Sequence, residues 1–333
     1  MNITFLSLEK SNAVIRPAAE AYFEHILNSD KRIFEFYGQP VVIDSTVDHI
    51  TTDALNETLC AAMCYNLEKC VVAYFHNSTC KLFEYGIVTQ IEKLDKTSKK
   101  VIALKTNMSR EEDCPFIFYM LPLRSEIKDL SAPYTEFLYT IDNETESMMT
   151  ITYNKTVSCA PGYTKFTRPK TEYCLSLYTS TAGKINYMEA QQICSSQNFS
   201  VVAGLENAEE RLFATEQGSK TTSPDGYKAS MFWVSGIRKS SCFTLSQVQS
   251  PECAGIKAFN PTDNWLSTSS GYKWIANNPD GVTELGPTQN CVVLWTEQYP
   301  RNLHGLVDDA TCTAVNTAYG DARGVLCGRV AGY

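Results

Sequence analysis

The chain has 333 residues, 44% of them hydrophobic and 20% charged, which suits two folded domains with real cores and is unlike a disordered composition. With 29 Lys and Arg against 37 Asp and Glu the formal net charge is −8, and no basic cluster is large enough to neutralise a run of phosphates, so a general nucleic-acid binder is excluded. No stretch of about twenty apolar residues occurs, so neither a membrane-spanning helix nor a GPI tail is expected.

The N-terminal segment, residues 1–33, opens MNITFLSLEK. It has no basic region, and its short apolar run is broken by Thr4 and Ser7, which makes it a poor signal peptide. The rest of the chain nevertheless reads as secreted, so the true start is expected upstream. Thirteen cysteines, never arranged as CxxC pairs at zinc-finger spacing, suit a disulfide framework in an oxidising compartment. Asn-x-Ser/Thr sequons at Asn2, Asn56, Asn77, Asn107, Asn143, Asn154 and Asn198 agree, and a glycoprotein is expected.

Residues 34–107 carry strand-like runs at Phe34–Tyr37, Val71–Phe75 and Val101–Leu104 around one helical stretch, Ala54–Tyr65. Cys60 and Cys64 lie four apart and share a helix face, while Cys70 and Cys80 bracket the next strand and turn. Of the three pairings four cysteines allow, Cys64 with Cys70 and Cys60 with Cys80 is expected. FYGQP followed by CAAMCYNLEKCVVAYFHNSTCKLFEYG resembles a PAN/apple-type domain: one helix on a small antiparallel sheet. The resemblance implies a protein or carbohydrate interaction unit. A generic small disulfide-stapled fold would serve the same structural role.

Residues 108–156 combine the apolar PFIFYMLPL with the polar DNETESMMTITYNKT, and are expected to be part appended structure and part linker, packing on either neighbour.

From Val157 an α+β pattern begins. NYMEAQQICSSQ, residues 186–197, has apolar residues at Tyr187, Ala190, Ile193 and Cys194, with Asn186 and Glu189 at capping spacing. A second helix is predicted from Asn207 to Gln217, opened by Asn207 with Glu210 three later and closed by Gly218. MFWVSGI, YKWIA, NCVVLW and GVLCGRV then read as strands. The order CAPGYTKFTRPKTEYC, AQQIC, FWVSGI, NCVVLW, DDATC and GVLC resembles a long-form C-type lectin-like domain over residues 157–330, with two helices, antiparallel strands and a long loop region. That resemblance implies Cys159–Cys174, Cys194–Cys327 and Cys291–Cys312. Cys242 and Cys253 flank SSCFTLSQVQSPEC and are expected to bridge their own loop. Cys114 is then left over, for an interchain disulfide that makes a dimer, for a buried thiol, or for a partner upstream.

The stretch WIANNPDGVTELGPTQNCVVLW poses the functional question. Asn278-Pro279-Asp280-Gly281 is by itself a turn, because Pro presets φ and Gly accepts a positive one. In sugar-binding members of the resembled family, calcium is held by a triplet around a cis proline, by a Glu two before the next cysteine, and by a Trp-Asn-Asp triplet before the following one. The matching positions imply metal ligands at Asn278, Asp280, Gln289, Asp308 and Asp309, with Glu284 a substitute for Gln289. They imply sugar contacts at Asn278, Asp280, Asp308 and Asp309. Gln289 replaces a carboxylate and Val307 a tryptophan, whereas Asp308 keeps the carboxylate count at three; calcium is thus one of two outcomes, and a bare turn the other. The amide-then-acid order is that of galactose-type triplets, but Asn278 is a methylene shorter than Gln and no stacking aromatic follows. Trp233, Trp274 and Trp295 sit on strand-like runs and read as core, leaving Trp265 as the tryptophan expected to be exposed. His304 lies close to Asp308 but reads as a surface residue.

Only four histidines occur, and HExxH, GxSxG, GxGxxG and Walker patterns are absent, so no enzyme is expected. Three readings follow: a secreted calcium-dependent lectin for glycans or glycoproteins, its first domain adding contacts to other extracellular proteins; a calcium-independent lectin-like module for protein or lipid; and a structural extracellular-matrix component. Similar two-domain proteins in invertebrates are taken as secreted recognition factors, including in defence.

Overall fold

The computed structural model describes residues 31–43, 49–107, 122–180, 183–197, 200–221, 229–281, 289–297, 303–317 and 320–333. The chain divides into two compact units, Met1–Thr156 and Val157–Tyr333.

Among its described residues the first unit is a nine-stranded sheet with one α-helix. Its elements are β1 (Lys31–Ile43), β2 (Ile50–Asp53), α1 (Glu57–Asn66), β3 (Cys70–His76), β4 (Thr79–Glu84), β5 (Val88–Lys93), β6 (Val101–Asn107), β7 (Leu123–Lys128), β8 (Thr135–Asn143) and β9 (Met148–Val157). The strand order is β2-β4-β3-β6-β1-β5-β9-β8-β7. The helix starts later than its apolar pattern suggests because the Asn56 side chain accepts the amide of Leu59 and caps it. At the other end Lys105, 4% exposed, donates from Nζ to the carbonyls of Cys64, Leu67 and Glu68 at 3.2, 2.5 and 3.1 Å, satisfying groups a helix C-terminus leaves open. Cys60–Cys80 and Cys64–Cys70 fasten α1 to β4 and to the start of β3. The β3–β4 hairpin turns on Asn77 and Ser78, both at positive φ (49° and 61°), the geometry that matches the right-handed twist of a two-residue hairpin.

Residues 122–157 join this sheet: β9 pairs with β5, and β7 with β8. Leu123, Ile127, Tyr139, Ile141, Met149 and Ile151 enter one core with Val71, Phe83, Ile91 and Ile102. The stretch therefore packs on the first unit.

The second unit is built on an eight-stranded sheet. Its described strands and α-helices are β10 (Thr164–Thr167), β11 (Glu172–Thr179), α2 (Tyr187–Ser196), β12 (Val201–Val202), α3 (Ala208–Ser219), β13 (Ala229–Arg238), the short α4 (Leu245–Val248), β14 (Phe259–Asn260), β15 (Cys291–Glu297), β16 (Val307–Ala310) and β17 (Gly320–Val330). The main path is β10-β11-β17-β13-β15-β16, with β12 on β17 and β14 on β13; only β13–β17 is parallel. A full capping box at Asn186 and Glu189 starts α2, and Asn207 caps α3 by accepting the amide of Glu210. Gly218 does not end α3. It lies inside the helix where a Cβ would press on Thr296 and Phe232, so its role is close packing of α3 on the sheet.

Alternation along the central strands divides the core in two. Trp233, Val293 and Trp295 face α2 with Tyr187 and Ala190, while Val234, Val292 and Leu294 face Ala214 of α3 and the long loops. Cys194–Cys327 ties α2 to β17, Cys159–Cys174 secures the entrance to β11, Cys242–Cys253 closes its own loop, and Cys291–Cys312 joins β15 to the segment after β16.

Candidate functional site

The site grows from the end of β13. Its register with β15 slips between Val234 and Ile237, where Gly236 takes a φ of 155°, and this bulge carries Arg238 into the interior beneath the Asn278–Gly281 turn. Arg238 is 3% exposed. Its Nε donates to the carbonyl of Gln289 at 2.8 Å, its Nη2 donates to Asp309 Oδ2, and its guanidinium lies over the Phe259 ring at 4.7 Å. Phe259 in turn stacks on Trp274 with centroids 5.6 Å apart.

Asp309, 2% exposed on β16, gathers the turn around this cation. Its Oδ2 also accepts the amide of Gly281 at 2.8 Å, and its Oδ1 accepts the amide of Asp280 at 3.3 Å. The Gln289 amide, oriented to satisfy its neighbours, donates to Asp280 Oδ1 at 3.1 Å and Asp309 Oδ2 at 3.3 Å. Burial pushes the Asp309 carboxyl up to about 6; Arg238 and the Gly281 amide oppose that rise, and Asp308 and Asp280 add to it. Burial lowers Arg238 from its ordinary value, with Asp309 and Asp280 opposing.

The six positions expected to hold a metal separate into four placements. Asp280, Gln289 and Asp309 converge, but on Arg238. Asp308 is the neighbour of Asp309 on a strand and so points to the other face, where its Oδ2 accepts the indole N–H of Trp295 at 3.3 Å and its Oδ1 the amide of Asp309 at 3.1 Å. Burial raises its carboxyl too. Asn278 precedes a cis peptide bond to Pro279, and its own amide donates to the carbonyl of Ile275 at 3.0 Å. Glu284 lies outside the described residues, as do Cys114, Asn2 and Asn198.

Calcium takes six to eight oxygen ligands, several of them carboxylates. Here both oxygens of Asp309 already accept N–H donors, and the space they face is filled by a guanidinium whose charge repels a second cation. Among the described residues no three His, Cys, Asp or Glu side chains converge as a metal site requires. The described residues do not fit a divalent ion at this turn.

The loop before the turn is fixed by a second buried arginine. Arg168 grips Glu210 with two hydrogen bonds of 2.7 and 2.8 Å, donates to Asp263 Oδ2 at 2.8 Å and lies 3.7 Å over the Tyr173 ring; the side chains of all three charged partners are 0% exposed. Glu206, 1% exposed, accepts the amides of Ser267 and Thr268 at 2.7 and 2.9 Å. Sequence reasoning missed Arg168, Arg238, Glu206, Glu210 in this role, and Asp263. For Arg238 the only signal is a basic residue closing an otherwise apolar strand, MFWVSGIR.

The remaining expectations are placed as follows. Trp233 and Trp295 are buried and Trp265 is 40% exposed. His304 accepts the amide of Glu297 on Nδ1 at 3.1 Å, which holds the β15–β16 connection. Asn56, Asn77, Asn143 and Asn154 are exposed, and Asn107 ends β6.

Residues 163–330 match the family described as C-type lectin domain-containing protein 141/158, and residues 33–106 match the PAN-like domain. No curated protein matches the chain. Two solved structures of human lithostathine are similar to it at 15% and 13% identity, covering 52% of this chain in each case and 91% and 99% of theirs, both with a TM-score of 0.33, too distant to bear on the argument. On the span of the first match, which is half of the chain, this protein belongs to the C-type lectin domain-containing protein 141/158 family, with a PAN-like domain ahead of its lectin domain.

Proposed function

We propose that this is an extracellular recognition protein whose C-type lectin-like unit binds its ligand without calcium and without chemistry. The observation that carries the reading is Arg238: a resident cation, 3% exposed, that draws Asp309, the Gln289 carbonyl and the NPD turn together. In family members that bind sugar through calcium, the ion both shapes the loop and coordinates the ligand. A buried guanidinium can do the first and not the second, so ligand contacts fall to side chains exposed on the loop surface. Six disulfides among the described residues support an oxidising compartment. Exposed Asn56, Asn77, Asn143 and Asn154 are the positions we assign to N-glycans, all in the first unit, whose PAN-like domain supplies contacts to other extracellular proteins.

The test is to screen the full chain on glycan and extracellular-protein arrays, in calcium and again in EDTA. Signals equal in both are expected. Signals that vanish in EDTA would restore the calcium-dependent lectin, with Asn278, Asp280, Glu284, Gln289, Asp308 and Asp309 again its candidate ligands.

A further inference from the structure

The start of α1 leaves two leucines in solvent on either side of a glycosylation sequon. Leu55 is 91% exposed and Leu59 38% exposed, and Asn56-Glu57-Thr58 lies between them. An apolar residue just before a helix N-cap ordinarily packs on the fourth helical residue. Here that residue is Cys60, 1% exposed and bonded to Cys80, so Leu55 has no such staple to join. The third helical position, where a capping box would place Glu or Gln, is Leu59 itself. Helical side chains lean toward the N-terminus, which brings Leu59 back over the turn that Asn56 opens.

Asn56 is held in one orientation. Its Oδ1 accepts the amide of Leu59 at 2.9 Å, and because the side-chain amide is planar, Nδ2, the atom an N-glycan occupies, is turned out of the helix. Attachment at Nδ2 leaves Oδ1 to keep the cap, so cap and glycan are compatible and the cap aims the first sugar. The corner is rigid: the Ala54 amide donates to the Ser78 carbonyl at 3.0 Å, and Cys60–Cys80 ties α1 to the same hairpin. A lone exposed leucine such as Leu130, 82% exposed, needs no cover. Leu55 differs because a second exposed leucine follows one turn on, with the attachment residue between them in sequence. The first N-acetylglucosamine brings a C–H ring face and an acetamide methyl, which match two aliphatic side chains.

We infer that Asn56 carries an N-glycan whose first sugar is a resident cover for Leu55 and Leu59, closing this corner of the first unit to partners. The inference rests on the extracellular reading and gives one of its glycans a structural task.

The test expresses the full chain behind a secretion signal in insect cells, as wild type, Thr58→Ala, Asn56→Asp and Asn154→Gln, with peptide masses giving the occupancy of each sequon. Thr58→Ala removes the sequon and keeps the Asn56 cap, whereas Asn56→Asp removes the glycan and supplies an equally good cap. Asn154→Gln is the control, since Thr152, Asn154 and Thr156 share one exposed polar face of β9. Asn56 should be occupied in wild type. Hydrogen exchange at the Leu59 amide should be roughly three- to tenfold faster in Thr58→Ala and Asn56→Asp, the loss of cover over about half of one leucine, and unchanged in Asn154→Gln. Both losses run against the helix propensity of Ala and the favourable charge of Asp at a helix N-terminus, so neither substitution produces them by itself. Thr58→Ala should also gain binding of a hydrophobic dye, and adding Leu55→Ser and Leu59→Ser should abolish that gain. Asn56 left unmodified while other sequons are occupied overturns the inference and leaves the extracellular reading standing. So do equal exchange and dye binding in wild type and Thr58→Ala, or a wild-type dimer that Leu55→Ser splits, which assigns the corner to a second copy. A chain that fails to form its disulfides in the secretory route overturns the extracellular reading itself.

Discussion

Replacing Arg238 by Met keeps the volume under the NPD turn and removes the charge. Asp309 is then left 2% exposed with the backbone amides of Asp280 and Gly281 and the Gln289 side chain as donors, while Asp280 and Asp308 push against it. Removing one partner of a buried ion pair costs about 3–5 kcal/mol, because the other charge stays behind unpaired. In a unit of this size each kcal/mol moves the melting temperature by about 2–4 °C, so a fall of roughly 6–20 °C at pH 7.5 is expected by calorimetry. The pH dependence has a definite sign. In the native wild type burial raises Asp309 to about 6, above its unfolded value; such a group's contribution is present below the unfolded pKa and is lost as pH rises through 6. Without Arg238 the carboxyl rises further, so the deficit of the variant should shrink between pH 7.5 and pH 5. The double variant Arg238→Met with Asp309→Asn should recover part of the loss, since it leaves no unpaired charge. A deficit below about 1 kcal/mol, the range of an exposed pair, or one that is the same at both pH values, would refute the claim that Arg238 is the cation around which the turn is built.

Arg168→Met should cost at least as much, about 3–5 kcal/mol or more, because it strands two buried carboxylates, Glu210 and Asp263; a denaturant midpoint close to wild type would show the pair to be dispensable. Gly324→Ala should destabilise the second unit by about 3 kcal/mol or more, since an added Cβ would overlap the carbonyl of Tyr178 on the adjacent strand and meet the Phe232 ring; thermal unfolding within 2 °C of wild type would contradict that packing.

Much of the fold was written locally. Asn186 with Glu189, and Asn207 with Glu210, mark helix starts within four residues, and the cysteines of α1 sit one turn apart beside those of the following hairpin. Of the strands after residue 122, β9 was the hardest to read because it buries few side chains: it places Met149 and Ile151 in the core and leaves most of its C-terminal half exposed, so no apolar run appears. Gly218 carried the signature of a helix stop yet serves helix-to-sheet packing, a tertiary constraint with no local mark. The site is the extreme case. Asp280, Gln289 and Asp309 could be named from the cysteines and the NPD turn, but the group they surround is Arg238, 71 residues before Asp309 and delivered by a bulge. Which cation carboxylates gather around cannot be read from the carboxylates alone.

The most direct test of the account is equilibrium calcium binding to the full chain by isothermal titration calorimetry at neutral pH. Sites of extracellular modules fill at about 10⁻⁴–10⁻³ M calcium. With Arg238 in place no saturable uptake is expected through that range, and none that Asp309→Asn alters. Stoichiometric uptake that Asp309→Asn abolishes would mean that the ion displaces the arginine, and would contradict the account.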